Sequence, residues 1–307
     1  MHYTLHQLQV FLTVAQHKSI TKAAEAMSLT QPAISVQLKN LQDQFEIPLT
    51  EVFGRQLYVT DFGKEIATAA ENILNQVYAI NYKTMAFKGQ LYGKLKIATV
   101  STGKYVMPYF LSDFMKTNPA VDLVLDVNNR KKVTESLENN EVDFALVSVS
   151  PNDLKTDKIE LMSNDLYIVA NKNFEVHTDL SPQKLFTDNP VIFRENGSAT
   201  RVAMENFLER NKIINRKKME LTSNEAVKQA VVAGLGISIM PIIGLKNELA
   251  MGDLQIIGLP NFPIVSMWSL VWLKNKKFSP VAQKYFDFIL DKKTELVNEH
   301  FGWIDNF

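Results

Sequence analysis

The chain has 307 residues, of which 46% are hydrophobic, so it is long enough for two or three domains with packed cores and is not a disordered protein. It contains no cysteine, which excludes disulfides, cysteine-ligated zinc and thiol redox chemistry. Its 33 basic and 33 acidic residues cancel, and the first sixty residues are balanced in the same way, so binding to nucleic acid would have to depend on shape and on charge position.

The first sixty residues predict three helices followed by a hairpin. Apolar residues spaced by threes and fours indicate a helix over about Leu5–His17, a second helix capped by Ser19 and a third helix capped by Thr30. Pro32 lies in the first turn of the third helix, where its missing N–H costs nothing. The stretch FGRQLYVT predicts the tip and second strand of a short hairpin. The first helix is expected to bury Leu8, Phe11, Leu12 and Ala15.

The outer face of the third helix has two interpretations. It carries small and amide side chains, which would let the helix backbone sit deep in the major groove of DNA. Composition alone favours the other interpretation, a solvated helix face. The residues that point away from the core stripe of this helix, or lie on its flank, are Gln31, Pro32, Ser35, Val36, Lys39, Asn40 and Asp43.

Residues from Asp61 to about Lys88 predict one long helix with a narrow apolar seam. A helix of this length cannot bury its seam against a small domain, so a coiled-coil-like contact with a second copy is expected. The alternative is a helix that lies along the following domain. Gly89 and Gly93 then punctuate a linker. The seam residues are Phe62, Ile66, Ala69, Ile73, Val77 and Ile80.

From Lys94 onward, strand and helix patterns alternate. Two similar β-α-β runs in series, followed by a last strand and a helix at about Ser279–Leu290, predict two α/β lobes with sheets rich in parallel strands. A pair of strands is expected within IELMSNDLYIVAN, between the two runs. Paired lobes of this kind commonly hold a small molecule between the carboxyl ends of their strands. The other predicted helices are at about Tyr105–Lys116, Lys131–Asn139, Thr200–Arg210 and Asn224–Ala233.

The two lobes each offer polar side chains at the end of a strand. Ser101 and Thr102 follow the first strand of the first lobe and precede a helix, where free N–H groups and hydroxyls favour an anion. In the second lobe Arg194 ends a strand, and Ser198 and Thr200 begin a helix. Each hydroxyl alone can equally be an ordinary helix cap. Together they predict a site for a small carboxylate or phosphate with Arg194 as its charge partner.

Other function classes find less support in the sequence. The uncharged stretches 229–245 and 254–273 contain too many glycines and prolines for membrane spans, and the N-terminus lacks the pattern of a signal peptide. No metalloprotease, P-loop, nucleophile-elbow or dinucleotide motif is present, and the five histidines have no metal-ligand spacing. We therefore expect neither an enzyme nor a cofactor or metal. A solute-binding protein or a two-lobed enzyme remains the alternative.

The segment SITKAAEAMSLTQPAISVQLKNLQ, from Ser19 to Gln42, resembles the winged helix-turn-helix of LysR-type transcriptional regulators. The stretches LQVFLTVAQHKS, LYVTDFGKEI and the terminal SPVAQKYFDFI fit the same family. The resemblance implies a DNA-binding domain at 1–60, a dimerisation helix at 61–92 and a periplasmic-binding-protein-like effector domain at 93–307. Within that last domain, lobe I would comprise about 93–163 and 268–307, and lobe II about 164–267.

The resemblance also implies roles for individual residues in the DNA-binding domain. Four residues of the third helix would contact bases, with Thr30 and Lys39 on phosphates and Arg55 of the wing in the minor groove. Several positions depart from the family pattern: Gln42 replaces the usual glutamate, Phe45 and Glu46 replace a leucine and a glycine, Thr50 replaces an aromatic residue, and Val52 is not basic, which places the packing of the wing in question. The four base-contacting residues would be Gln31, Pro32, Ser35 and Val36.

For the effector domain, the resemblance implies control by a small metabolite held between the lobes. The stretch RENGSATR is similar to family branches tied to carbon, sulfur and nitrogen assimilation, and an anionic effector is expected. The expected partners are promoter DNA and a second copy of the chain. Two such homodimers are expected to form a homotetramer, located in the cytoplasm. The expected effector-binding residues are Ser101, Thr102, Ser148, Arg194, Glu195, Ser198, Thr200 and Asn224.

Overall fold

The computed structural model describes residues 3–54, 56–86, 91–151, 153–176, 181–214 and 217–307. The chain divides into two compact units, Met1–Gly93 and Lys94–Phe307. Arg55, the wing residue expected in the minor groove, and Gly89 of the expected linker lie outside the described residues. Within the described ranges, no helix combines the length and apolar content needed to cross a bilayer.

The first unit begins with three helices, α1 (Leu5–His17), α2 (Ile20–Met27) and α3 (Gln31–Gln42). A capping box joins Thr4 and Gln7 at the start of α1, and the hydroxyl of Ser19 accepts from the backbone N–H of Lys22 at the start of α2. The expected burial of α1 is only partly right. Leu8 and Phe11 are buried, but Val10 and Val14 are fully buried in place of Leu12 and Ala15, because α1 packs against α2, α3 and a later helix at once.

That later helix is α4 (Asp61–Ala86), which follows the wing strands β1 (Thr50–Phe53) and β2 (Gln56–Val59). The first half of α4 packs on the core of the unit, where Ala70 and Leu74 are buried. Farther along the helix the predicted seam lies open, since Ile73 is 41% exposed and Ile80 is 63% exposed. One copy of the first unit therefore covers only the beginning of the seam.

The second unit is built on a seven-stranded sheet and a two-stranded sheet. Its strands in lobe I are β3 (Gly93–Val100), β4 (Val121–Asn128) and β5 (Phe144–Val147). Two long strands, β6 (Thr156–Asn171) and β11 (Ile264–Leu273), belong to both lobes. Lobe II adds β7 (Val191–Arg194), β8 (Lys218–Leu221), β9 (Ser238–Pro241) and β10 (Leu254–Ile257).

Helices cover these sheets. In lobe I they are α5 (Met107–Thr117), preceded by a 3-10 turn at Ser101–Tyr105, then α6 (Arg130–Glu138) and α11 (Pro280–Phe301), which is followed by a 3-10 turn at Gly302–Asn306. In lobe II they are α7 (Pro182–Asp188), α8 (Ala199–Arg210), α9 (Asn224–Val232) and α10 (Lys246–Ala250), with a 3-10 turn at Ile242–Gly244. The helix α11 runs eleven residues beyond its expected end at Leu290.

The expected pair of strands within IELMSNDLYIVAN is wrong, because β6 is one continuous strand of 16 residues. Its first part pairs with β11, and its second part pairs with β9 and β10, all antiparallel. The seven-stranded sheet is accordingly mixed, in contrast to the expected parallel-rich sheet, whereas the two-stranded sheet of β7 and β8 is parallel. Parallel registers are found between β3 and β5, between β7 and β8, and at a bridge from Val191 to Ile237. The strands β6 and β11 thus carry the chain between the lobes.

Candidate functional site

The outer face of α3 presents the expected polar and small residues to solvent. Gln31, Pro32 and Lys39 are exposed, Val36 is 54% exposed and Ser35 is half-buried at the edge of the face. The opposite face anchors the helix, since Ile34, Leu38 and Leu41 are buried. The helix α3 is thus anchored by its buried face, and its outer face carries small and polar side chains that solvent can reach.

Thr30 occupies the N-cap position of α3, but its side chain makes no capping hydrogen bond. This differs from the expected cap, and it contrasts with Ser19, whose hydroxyl does cap α2. Pro32 in the first turn removes one of the N–H groups that a cap would otherwise satisfy. The exposed Thr30 hydroxyl therefore lies at the start of α3, where it can donate to an anion.

Two of the departures from the family pattern, Gln42 and Thr50, contact each other where the end of α3 meets the first strand of the wing. The side-chain oxygen of Gln42 accepts both the backbone N–H of Thr50, at 3.2 Å, and the Thr50 hydroxyl, at 2.9 Å. A glutamine and a threonine thus form a polar clasp between the end of α3 and the first strand of the wing. Where the family pattern has an aromatic residue, Thr50 instead joins the wing to α3 by this pair of hydrogen bonds.

The junction between wing and α4 depends on a glycine. The hydroxyl of Thr60 donates to the carbonyl of Pro48 at 2.7 Å and accepts the backbone N–H of Gly63 at 2.9 Å. A Cβ at Gly63 would stand 2.1 Å from the carbonyl oxygen of Leu49. Only glycine lets the start of α4 approach the wing this closely.

The expected anion site in the second unit centres on Arg194, which ends β7 and is only 5% exposed. Its guanidinium donates to both carboxylate oxygens of Glu195, from Nε at 2.7 Å and from Nη2 at 2.8 Å. Nη2 also donates to the hydroxyl of Ser101 at 3.1 Å. Since Ser101 belongs to lobe I and Arg194 to lobe II, this hydrogen bond joins the two lobes.

Within the described part of the chain, the other expected residues have no recorded hydrogen bond to the Arg194 side chain. Thr102, Ser198 and Thr200 are buried, and Ser198 begins α8 without a side-chain cap. Ser148 follows β5 and is half-buried, and no recorded hydrogen bond within the described residues links it to Arg194. Arg201, seven residues after Arg194, is an ion-pair residue, because it pairs with Glu205 and Glu220 and donates to the Arg194 carbonyl.

Asn224 begins α9 and is 1% exposed, yet neither atom of its amide has a hydrogen bond of ordinary geometry within the described part of the chain. The amide lies beside Gly244, where an added Cβ would stand 3.1 Å from Asn224 Nδ2 and 3.0 Å from the Tyr105 ring. A buried amide without partners costs about 1–3 kcal/mol. A ligand with a donor or acceptor in this position would recover that energy.

A second contact between the lobes was not foreseen from the sequence. The hydroxyl of Tyr105, in lobe I, donates to Glu225 Oε2 of lobe II at 2.8 Å. Burial and the acceptor carboxylate together raise the pKa of Tyr105, although the nearby amide of Asn224 opposes the rise. Burial also works against ionisation of Glu225, but hydrogen bonds from Lys228, Tyr105 and Gln229 leave its pKa below the usual value.

Lys228 completes this cluster at the start of α9. It is 9% exposed and pairs with Glu225 at 3.0 Å and with Glu248 at 2.7 Å. Its burial would lower the pKa of the ammonium, but the two carboxylates outweigh burial and raise it. The spacing of Glu225 and Lys228, three residues apart on a helix, was the one signal in the sequence for this pair. Tyr105 lies 120 residues away and carried no such signal.

The chain matches two family models in full agreement with this architecture. Residues 5–64 match the bacterial regulatory helix-turn-helix protein of the lysR family, and residues 88–294 match the LysR substrate binding domain, which alone covers more than half of the chain. The chain belongs to the LysR family of transcriptional regulators.

Curated relatives of this LysR-family chain have names that describe regulators of transcription and not enzymes. The transcriptional activator CmpR of Synechocystis is 35% identical over 288 residues, which cover 93% of this chain and 94% of CmpR. The RuBisCO operon transcriptional regulator of Acidithiobacillus ferrooxidans is 36% identical over 290 residues, or 94% of each chain. The family membership and the regulatory function expected from the helix-turn-helix segment are thereby confirmed, as is the expectation that the chain is not an enzyme.

Two solved structures resemble this one. The CcmR regulatory domain of Synechocystis, in complex with 2-PG, superimposes with a TM-score of 0.62 at 31% identity and covers 66% of this chain and 97% of its own. A full-length OxyR variant from Pseudomonas aeruginosa superimposes with a TM-score of 0.70 at 21% identity over 95% of both chains. The OxyR match shows that the whole fold, from helix-turn-helix to effector domain, is that of a LysR regulator.

Proposed function

We propose that this LysR regulator is controlled by a small anionic metabolite, 2-PG or a chemically similar anion, bound between the lobes at Arg194. One observation carries the proposal: a guanidinium that is 5% exposed ends a strand of lobe II and hydrogen bonds across to Ser101 of lobe I. Arginine at a buried position that faces two lobes is suited to bidentate binding of a carboxylate or phosphate. The regulatory domain of CcmR, which is 31% identical, was solved with 2-PG.

In this proposal the anion takes the place of Glu195 on the Arg194 guanidinium. The Ser101 and Thr102 hydroxyls would donate to it from lobe I, and the start of α8 at Ser198 and Thr200 from lobe II. The amide of Asn224 would pair with a further polar atom of the ligand, and Ser148 would line the cleft at the end of β5. A ligand that prefers one separation of the lobes shifts the population toward that state.

We further propose that α3 reads promoter DNA. Gln31, Pro32, Ser35 and Val36 would contact base edges, and Thr30 and Lys39 would contact phosphates, with Arg55 of the wing in the minor groove. The exposure of these side chains in α3 and the rigid core behind them support the assignment. Val36 offers a methyl-bearing surface, which favours thymine methyl groups at the facing position.

The assembly we propose is a homodimer joined along α4, with two dimers forming a tetramer that works in the cytoplasm, where promoter DNA is accessible. Ile73 and Ile80 lie seven residues apart, one heptad, and both are exposed in the single chain. In this division the DNA-binding domain is 1–60, the dimerisation helix 61–92 and the effector domain 93–307, with lobe I at about 93–163 and 268–307 and lobe II at about 164–267.

The effector proposal is tested by calorimetric titration of the full-length protein with 2-PG. Arg194→Gln should weaken binding about ten- to a hundredfold, because a charged hydrogen-bonded pair contributes about 1.5–3 kcal/mol. Arg210→Gln, which removes the same charge from an exposed position at the end of α8, is the matched control and should bind as the wild type does. Equal affinity of the two variants for 2-PG would refute the assignment of Arg194.

The DNA proposal is tested by a gel shift on the DNA upstream of the gene, followed by selection of binding sites from random sequence. Val36→Arg should change the preferred bases, with a discrimination of about 1–3 kcal/mol at the affected position. Ile47→Arg is the matched control, because Ile47 is also 54% exposed and lies in the same unit outside α3. The control adds the same charge, so it should alter salt dependence without altering base preference. An unchanged preference in Val36→Arg would exclude Val36 from base contact.

A further inference from the structure

A second cavity lies at the edge of the contact between the lobes, away from Arg194. Its volume is about 300 Å³, at the lower end of the range for small-molecule sites. Lobe I supplies one wall, from the start of α5 and the end of α11, and lobe II supplies the other, from residues 243–248 and Lys228. The lining residues that matter below are Lys104, Tyr105, Tyr109, Lys246, His300 and Trp303.

Two lysines of this cavity, one from each lobe, carry charges that no recorded ion pair within the described residues neutralises. The Lys104 ammonium lies over the Tyr105 ring at 4.9 Å, and the Lys246 ammonium lies over the Trp303 ring at 5.3 Å. Lys228, the third lysine of the lining, is instead held between Glu225 and Glu248. The cavity therefore offers two ammonium groups from opposite walls that remain available to an anion.

The remaining wall is aromatic. The ring of His300 packs on Tyr109 with centroids 4.9 Å apart, and Tyr109 meets Phe301 edge-on at 5.3 Å. The rings of His300 and Phe301 come from the last turn of α11, which extends beyond its expected end, the Tyr109 ring comes from α5, and Trp303 follows in the C-terminal turn. A planar group can lie against these ring faces while its charged end reaches the ammonium groups.

We infer that this cavity is a second ligand site, for a small organic anion that combines a phosphate or carboxylate with a planar ring. The anionic group binds between Lys104 and Lys246, and the ring packs on the aromatic wall. This site is distinct from the one proposed at Arg194, because none of the residues around Arg194 lines it.

The position of the cavity couples it to the other site. Tyr105 lines the cavity and also donates to Glu225 across the lobes, and Gly244 lines the cavity while lying against the Asn224 amide. A ligand that draws Lys104 and Lys246 together fixes the separation of the lobes at which the anion at Arg194 must bind. Occupation of the cavity should therefore change the affinity for that anion about fivefold or more.

The probe is phenyl phosphate, titrated into the full-length protein by calorimetry, with tryptophan fluorescence, to which Trp268 and Trp272 contribute besides Trp303, as a second readout. Lys104→Glu combined with Lys246→Glu should abolish binding of phenyl phosphate. Lys132→Glu combined with Arg210→Gln provides surface charge changes on the same unit and should leave binding unchanged. Inorganic phosphate, which lacks the ring, should bind at least tenfold more weakly. If the double glutamate variant fails to fold, the double glutamine variant is used in the same titration.

Two further titrations separate this site from the one at Arg194. Arg194→Gln should retain phenyl phosphate binding. The variant Lys104→Glu with Lys246→Glu should retain 2-PG binding, but its affinity for 2-PG should no longer change when phenyl phosphate is added. Loss of phenyl phosphate binding in Arg194→Gln, with retention in the double lysine variant, would place the anion in the other cleft and overturn the inference. So would the absence of binding to the wild type up to about 10 mM, which corresponds to less than about 3 kcal/mol.

Discussion

Replacing Glu195 with glutamine should lower the stability of the protein and raise its affinity for an anion. A purely structural role of Glu195 would not produce both effects. The Glu195 carboxylate accepts two hydrogen bonds from a guanidinium that is 5% exposed. Glutamine keeps one acceptor oxygen but removes the charge that neutralises Arg194. The free protein should therefore lose stability, while an added anion should find the guanidinium free of its internal competitor.

The size of both effects follows from the burial of the pair. Breaking a fully buried ion pair costs about 3–5 kcal/mol. Because the Glu195 side chain is 20% exposed and glutamine still accepts one hydrogen bond, we expect a loss of about 1–3 kcal/mol instead. At about 2–4 °C per kcal/mol for a domain of this size, the midpoint of thermal unfolding should fall by several degrees. Recovery of about 1.4 kcal/mol on binding corresponds to a tenfold gain in affinity for 2-PG.

Thermal unfolding of the full-length protein with and without 2-PG measures both quantities in one assay. The midpoint without ligand should fall in Glu195→Gln, and the rise on adding 2-PG should be larger than in the wild type. Glu205→Gln is the control, since Glu205 pairs with Arg201 on the same lobe at 2.8 Å. A Glu195→Gln variant that binds 2-PG more weakly than the wild type would show that Glu195 assists the ligand, and the competition reasoning would be wrong.

Three other substitutions test the remaining structural claims. Gln42→Ala removes both hydrogen bonds from Thr50 and should cost about 1–2 kcal/mol, read as a lower midpoint of thermal unfolding and weaker DNA binding in a gel shift. Gly63→Ala places a methyl group 2.1 Å from the Leu49 carbonyl and should cost about 1–3 kcal/mol or more in the same unfolding assay. Burial raises the pKa of Asp143, so its ionised form opposes folding at pH 7. Asp143→Asn should therefore unfold at a higher temperature than the wild type at pH 7 and lose this advantage below about pH 4, where the aspartate is protonated in both states.

Each of these predictions has a control or an outcome that would contradict it. Gln42→Glu should keep wild-type stability, because a carboxylate accepts the same two hydrogen bonds, and a loss equal to that of alanine would mean that the clasp is not responsible. Gly258→Ala is the control for Gly63, since an added Cβ there meets nothing within 4 Å. For Asp143, a difference between variant and wild type that stays constant from pH 7 to pH 4 would show that its ionisation does not oppose folding.

The N-terminal unit was predictable because its signals are local. The capping residues Thr4 and Ser19 and the repeat of apolar residues are read within a few positions of the chain, and α1 ends at the predicted His17. The burial of Val10 and Val14 was not predictable in the same way. Each lies beside the expected stripe, and both are buried because α1 is contacted by three helices, which depends on the tertiary arrangement.

The continuous strand β6 was misread because of three polar residues. Ser163, Asn164 and Asp165 form a sequence typical of a turn. In the folded chain they lie where β6 leaves β11 for its partners in lobe II, and the Asn164 amide donates to the Ser266 hydroxyl of β11 at 2.9 Å. Asn164 is only 6% exposed there. Its local preference for a turn is overridden by pairing with a strand about a hundred residues away.

The candidate effector site was predictable as a set of positions and not as a set of contacts. That Arg194 ends a strand of one lobe and that Ser101 follows a strand of the other could be inferred from the pattern, because paired α/β lobes commonly hold a ligand between the carboxyl ends of their strands. The hydrogen bond between them spans 93 residues of sequence, and the bidentate pair of Arg194 with its neighbour Glu195 depends on side-chain rotamers. Nothing local distinguishes a glutamate that pairs with its neighbour from one that points to solvent.

The balanced charge of the first sixty residues now has a structural consequence for how this regulator holds DNA. Of the four basic side chains there, only Lys39 lies on the outer face of α3, so one copy can neutralise few phosphates. With about 0.9 counterions released per phosphate contact, a copy that makes three such contacts has a salt slope of about −2.7, and two joined copies have one of about −5.4. In the proposed dimer, joining the copies along α4 would raise the effective concentration of the second copy on the same DNA site and supply affinity that charge does not. In that proposed assembly, contact between two copies along α4 at Ile73, which is 41% exposed, would compensate for the sparse cations of α3.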